Sequence, residues 1–249
     1  MAFPKVIGLT GGIAMGKSTM AKKLPWAGRA TGMGLWLHDA DHSVHQLMAP
    51  TGPAYGRIID AFGDVTLAGV GSPIDRRKLG AAVFAAPDMR RRLEGILHPM
   101  VYAKTRQFLA RSARLRRRAV VLDIPLLFET AGERRCDQIV CVITAPAVQR
   151  RRALARPGMS QQKLAGILAA QVDNATRHKH ADVLVTSGAG VGLAYRRLLI
   201  ALSQKSSFKR FQAGRRHQNG LKAAWPPRGR RHGFWQRPAL YSPETQSRQ

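Results

Sequence analysis

Cysteine is almost missing from this chain: two residues in 249, Cys136 and Cys141. That excludes a disulfide-stapled scaffold, and the pair matches neither a CxxC redox motif nor a zinc-ligand spacing. Five apart, on what reads as one strand, the two thiols point to opposite faces and are expected to be buried and inert. Long apolar runs are missing too. None approaches the roughly 18 consecutive apolar residues that span a bilayer, so no transmembrane segment is expected. Residues 1–10, Met-Ala-Phe-Pro-Lys-Val-Ile-Gly-Leu-Thr, lead straight into glycines without the basic segment, apolar core and cleavage site of a secretory signal; the expected location is the cytosol. Acid is scarce: 14 Asp and Glu against 41 Lys and Arg leave a formal charge of +27, more than solubility requires, which points to an anionic partner.

The chain is long enough to bury the core of one α/β domain with a small appendage, without a metal or disulfide. Residues 5–10 form a short β-prone run that ends in Gly11-Gly12, and Lys17 to Leu24 has the composition of a helix start. Pro25 is expected to end that helix early, leaving 25–34 as an irregular connection with glycines at 28, 32 and 34. A second strand, Leu35 to His38, delivers Asp39 and Asp41 at its carboxyl end; a helix is expected from Ser43, and a break at Pro50 to Pro53. Tyr55 to Phe62, Asp75 to Phe84 and Pro87 to Leu109 show apolar residues at helical spacing with arginines between them. Ala119 to Ile124, Gln138 to Thr144 and Asp182 to Thr186 read as strands buried in a parallel sheet. Two helical patterns, 147–155 and 160–172, are separated by Arg156-Pro157-Gly158, and Ser160 is placed to cap the second. Alternating strands and helices predict an open parallel sheet covered on both faces.

After Gln204 the periodicity stops. Residues 205–249 hold 11 Lys or Arg against Glu244 alone, leaving 30 basic against 13 acidic residues in the first 204. This tail reads as a disordered basic segment. Its charge and aromatics suit a nucleic-acid or membrane-surface arm, while its irregularity suits an extension without function, the reading preferred here.

Gly11-Gly12-Ile13-Ala14-Met15-Gly16-Lys17-Ser18 satisfies GxxxxGK[ST] between a strand and a helix. Glycines let backbone N–H groups turn in around phosphate oxygens, and the helix start adds its dipole. Lys17 can neutralise the β and γ phosphates, and Ser18 can set its hydroxyl on Mg²⁺. Asp39 and Asp41, at a strand end, can ligate Mg²⁺ or take a hydroxyl proton; Asp39 can also simply cap the next helix. Asp123 can be a magnesium-associated acid or a backbone hydrogen-bond acceptor. His98-Pro99 reads first as a helix stop with a buried histidine.

Several ordered motifs then resemble one family, dephospho-CoA kinase. They are Gly8 to Ile13 leading into the phosphate loop, His38-Asp39-Ala40-Asp41, Ile74 to Leu79 with Val83-Phe84, Leu93 to Pro99, Asp123 to Glu129, Gln149 to Arg152 with Arg156, and Gln171 with Ala181-Asp182. The resemblance runs from about Lys5 to Leu202. It implies a P-loop enzyme with a core, a small helical acceptor region at about 50–115 and a lid at about 146–172, all within 1–204. It implies ATP-dependent phosphorylation of the ribose 3′-hydroxyl of dephospho-CoA. By the same resemblance Thr10, Gly11 through Thr19 and Arg156 hold ATP and its magnesium, Asp41 is the base, and Arg152 is a lid arginine on the transferring phosphate. Asp39, Arg76, His98 and Pro125-Leu126-Leu127 fall in segments that shape the acceptor site.

Besides the tail, which lies beyond the family's usual end near residue 200, three departures stand out. Ala14-Met15 replaces the usual Gly-Ser, and a Cβ at 14 strains the loop if that residue needs positive φ. The 22-residue spacing from Lys17 to Asp39 is longer than the family's, read as a looped-out insertion, and Ser187 stands where the family has Asn. The competing readings are a same-fold kinase for a nucleoside or shikimate-like alcohol, and a basic nucleic-acid-binding protein with a degenerate P-loop.

Overall fold

A computed structural model of the chain describes residues 4–63 and 65–203, and the tail at 205–249 lies outside them. The strands are β1 (Lys5–Thr10), β2 (Trp36–Asp39), β3 (Ala119–Asp123), β4 (Gln138–Ile143) and β5 (Val183–Thr186). In chain order the helices are α1 (Lys17–Ala30), α2 (Ala40–Leu47), α3 (Tyr55–Phe62), α4 (Arg76–Ala85), α5 (Pro87–Arg114), α6 (Pro146–Leu154), α7 (Gln161–Ala170), α8 (Asn174–His180) and α9 (Val191–Ser203). No described helix is long and apolar enough to cross a membrane. The described residues divide into two compact units, one with residues 4–38 and 109–203, the other with residues 39–63 and 65–108.

The first unit carries the sheet, in the order β2-β3-β1-β4-β5. β1 runs parallel to β3 on one side, Ile7 beside Val121, and to β4 on the other, Leu9 beside Val140; β4 runs parallel to β5. The continuous apolar strands explain this, because a parallel sheet buries both faces. Ile7, Leu9, Val121, Val140, Val142 and Val185 pack under Met20 and Leu24 of α1 and Ala194 and Leu198 of α9. On the opposite face Ile139 and Val6 meet Leu127 and Cys136. The connection leaving β1 leads toward β2 and that leaving β4 toward β5, so the strand order reverses between β1 and β4. Open α/β sheets bind their ligands at the carboxyl end of such a reversal.

The second unit is helical, with a core of Leu47, Met48, Tyr55, Ile58, Leu79, Ile96 and Leu97. Asp75 starts α4 by accepting the Arg77 and Lys78 amides at 2.8 and 3.3 Å, which holds its carboxyl below the usual range. Tyr55 ties down the 66–74 loop, donating to the Ser72 carbonyl at 2.7 Å and accepting from the Gly71 amide at 2.9 Å.

Several sequence expectations need correcting. Pro25 does not end α1: exposed on the outer side, it loses one amide donor while Leu24, Ala27 and Gly28 stay buried, and the helix continues to Ala30. The stretch read as a looped-out insertion is therefore mostly helix, stopped where the Met33 and Gly34 amides close on the Gly28 carbonyl. His98-Pro99 is not a helix stop either, because α5 runs through both to Arg114. The helix expected from Ser43 starts at Ala40. Cys136 lies before β4, after a 3₁₀ turn at Gly132–Arg135, so the two cysteines do not share a strand; both are nonetheless free and buried. Helices α8 and α9 went unmarked in the sequence.

Candidate active site

The glycine loop opens at the carboxyl end of β1, beside the strand reversal. Gly16 has φ +92° and precedes α1 with no side-chain cap, so the first amides of that helix remain available to an anion. A Cβ at 16 would stand 3.1 Å from Ser187 Oγ. The Met15 amide donates to the Gly12 carbonyl at 3.2 Å, closing a turn through Ile13 and Ala14. Ala14 sits at φ +56°, in the left-handed region, so the strain raised by its replacement of glycine is present. It costs an L-residue about 1 kcal/mol. Met15 contributes backbone rather than side chain to the loop, since its side chain is buried.

Lys17 projects to the end of β3, its Nζ 2.5 Å from Asp123 Oδ1. Asp123 is 4% exposed, and this ion pair shows why a carboxylate is tolerated there. The hydroxyl of Thr10, also buried, donates to the Pro125 carbonyl at 3.1 Å and fixes the segment after β3 against β1. Ser18 and Thr19 are exposed on the first turn of α1. Of the three residues at 125–127, Pro125 and Leu126 are half-buried, whereas Leu127 is fully buried beside Cys136 and Ile139. Leu127 therefore supports that segment from beneath and presents no side chain to a ligand.

From the other side of the loop, Arg152 of α6 donates to Ser187 twice: Nη1 to Oγ at 2.9 Å and Nη2 to the carbonyl at 3.1 Å. Ser187 Oγ in turn donates to the Met15 carbonyl at 2.7 Å. The structure thus joins Arg152 to the phosphate loop through one buried serine. Arg156 is exposed in the turn after α6, while Arg150 pairs with Gln161 at 2.9 Å on the solvent face. Ser160 caps α7 as its sequence position predicts, accepting the Lys163 amide at 3.1 Å.

One group beside the loop carried no sequence signal of its role. Arg177 of α8 is 5% exposed, with Asn174 Oδ1 at 3.2 Å and Glu129 at 4.0 Å. Burial pulls its pKa down, opposed by the Glu129 charge. Burial also pushes the Cys141 thiol up, to about 12. Nothing in the local pattern around Arg177 separates it from a solvated helix arginine; only its tertiary position does.

In the helical unit, Asp39 caps α2, accepting the His42 amide at 2.9 Å, so the capping role weighed for it is real. Asp41 is exposed in the first turn. Asp39, His42 and Arg76 all act on His45, whose pKa is lowered by burial first and then by Arg76 and His42, with Asp39 opposing. His98 is half-buried farther along α5, its ring 6.1 Å from that of Tyr102.

A strand, a glycine loop and an uncapped helix start, set at the strand reversal over a lysine–aspartate pair, define a P-loop nucleotide-binding protein of the α/β class. Within that class the chain belongs to the dephospho-CoA kinase family, whose model matches residues 5–191. The dephospho-CoA kinase of Rhodospirillum rubrum is 42% identical over 213 residues, 85% of this chain and 97% of its own length. That of Mesorhizobium japonicum is 46% identical over 190 residues, 76% of this chain and 90% of the relative. Among solved structures, TT1252 from Thermus thermophilus superposes with a TM-score of 0.67 at 28% identity, covering 81% of this chain and 97% of that one. The dephospho-CoA kinase from Campylobacter jejuni, at 23% identity and a TM-score of 0.57, covers 79% and 94% and shares the fold.

Proposed function

We propose that this chain transfers the γ-phosphoryl group of ATP to the ribose 3′-hydroxyl of dephospho-CoA, giving coenzyme A and ADP, the last step of coenzyme A synthesis. The observation that carries this reading is the family match over residues 5–191. The loop geometry supports it, since phosphoryl transfer needs positioning and charge neutralisation more than covalent chemistry.

In this reading the loop from Gly11 to Thr19, with Thr10 behind it, holds the phosphates through backbone amides and the α1 dipole. Lys17 supplies the fixed positive charge. Ser18 and Asp123 are oxygen donors of the kind Mg²⁺ takes, and would hold an ion that arrives on the nucleotide; when bound, it neutralises charge on the β and γ phosphates. Arg152 and Arg156 bring positive charge from the lid. Asp41 accepts the proton of the 3′-hydroxyl as its oxygen bonds to the γ phosphorus, and the bond from that phosphorus to the bridging oxygen breaks toward ADP. Asp39, Arg76, His98, Pro125 and Leu126 are assigned to the acceptor, with arginine and histidine suited to its phosphates. The lid at about 146–172, the acceptor region at about 50–115 and a cytosolic setting belong to the same proposal.

The test is ATP- and Mg²⁺-dependent conversion of dephospho-CoA by the purified full-length chain, with nucleosides and shikimate offered in parallel. Conversion of dephospho-CoA above the others is the expected result. A preference for a nucleoside or for shikimate overturns the acceptor, and failure to bind ATP overturns the reading as a kinase.

A further inference from the structure

Ile13, in the middle of the phosphate loop, is held at both of its backbone polar groups by side chains from outside the loop. Its amide donates to Gln171 Oε1 at 3.0 Å, and its carbonyl accepts from Gln149 Nε2 at 3.0 Å. Gln149 lies in α6 and is 5% exposed, while Gln171 follows the last residue of α7. Gln171 Oε1 and Arg177 Nη2 come so close that a Cβ on Gly12 would meet them at 3.0 and 3.1 Å. The next residue, Ala14, is held at φ +56°, and the one after it, Met15, has its carbonyl taken by Ser187.

We propose that Gln149 and Gln171 are positioning residues that clamp Ile13 and thereby hold the strained Ala14 turn in its phosphate-binding shape. A loop with glycine at 14 adopts left-handed φ without strain, whereas a loop with alanine there prefers another conformation unless something outside fixes it. Two hydrogen bonds on the preceding residue supply that restraint, and the serine bond on the following residue completes it. Neither glutamine reaches the reacting atoms; each acts through the loop backbone. The two also sit near the start and the end of the segment assigned as the lid. Both of its ends are therefore fastened to one residue of the phosphate loop, and Arg152 between them is joined to the same loop through Ser187.

The inference rests on the kinase reading, and the experiment separates the two. ATP affinity is titrated directly, and KM for ATP and kcat are measured, for the full-length chain and for Gln171→Met and Gln149→Met, each with and without Ala14→Gly. Methionine keeps the length of glutamine and removes its hydrogen bond, and a urea melt of each variant confirms folding. Each glutamine variant is expected to weaken ATP binding and raise its KM on the order of fivefold, the effect of one lost hydrogen bond, with kcat changed far less. Ala14→Gly is expected to recover most of that loss and to improve the wild-type background by a smaller factor. If the glutamine variants bind ATP as the wild type does, or if Ala14→Gly helps every background by the same factor, the clamp is overturned. A wild-type chain that binds no ATP overturns the kinase reading instead. Should a methionine variant fail to fold, Gln171→Glu, which keeps the acceptor for the Ile13 amide, is expected to retain ATP affinity better than Gln149→Glu, which loses the donor; equal loss in both counts against the clamp.

Discussion

Lys17 Nζ stands 2.5 Å from Asp123 Oδ1, tying the first residue of α1 to the last residue of β3. The pair places a fixed positive charge at the floor of the phosphate loop and gives a buried carboxylate an ammonium partner. Removing the lysine by Lys17→Ala is expected to lower kcat by about 10²- to 10³-fold, the usual loss when one electrostatic stabiliser goes. It also leaves Asp123 without its ammonium, at a cost of about 3 kcal/mol in stability. Adding Asp123→Asn is expected to restore stability in a urea melt without restoring turnover. If the double variant regains activity, the lysine matters only as a counter-ion to the aspartate.

Asp41 is exposed in the first turn of α2, where a carboxylate is not needed as the cap because Asp39 already fills that place. Asp41→Asn is therefore expected to leave stability nearly unchanged and to lower kcat by at least about 10²-fold, as for loss of a general base, while the affinity for ATP changes far less. Steady-state kinetics with varied ATP checks this. An equal fall in both quantities makes Asp41 a ligand-binding group.

Gly16→Ala sets a side chain at φ +92° and 3.1 Å from Ser187 Oγ. We expect ATP affinity to fall by about tenfold or more, since about 1–3 kcal/mol of backbone strain falls on the loop that binds the phosphates. The backbone conflict survives removal of the side-chain contact, so Gly16→Ala with Ser187→Gly is expected to remain impaired. Recovery in that double variant would locate the fault in the contact with Ser187 alone.

Burial pushes the Cys141 thiol up to about 12. Its folded pKa lies above the unfolded value, so this group's contribution to stability is complete below the unfolded pKa near 9 and is lost as pH climbs through the window up to about 12. Native protein at neutral pH is expected to show no fast reaction with a thiol reagent, and both thiols after unfolding, because Cys136 is buried as well. A native chain that reacts rapidly at one equivalent would mean that one of the two is reachable.

The phosphate loop was legible because its chemistry is local. Glycines, a lysine and a serine at fixed spacing between a strand and a helix specify one backbone path, and the short β-branched runs specify strands buried on both faces. The strain at Ala14 was legible only as a condition, since an alanine in place of the family's glycine is strained if φ is positive, and the structure supplied that sign. The continuation of α1 past Pro25 was not legible, for a proline on the exposed side costs one hydrogen bond while the buried stripe on the other side keeps the helix in place. The path of α5 through Pro99 escaped in the same way, with Ile96 and Leu97 just before the proline buried in the helical core.

The sequence by itself determined the P-loop, the parallel strands, the excess of positive charge and, through motifs spread from Lys5 to Leu202, the family. Only the tertiary structure decided which side chains meet. Lys17 and Asp123 are 106 residues apart, Ile13 and Gln171 are 158 apart, and Ser187 reaches Met15 across 172. No spacing rule links such pairs. They come together because parallel strands return to the same edge of the sheet, so the segments that follow β1, β3, β4 and β5 meet over the same few backbone atoms.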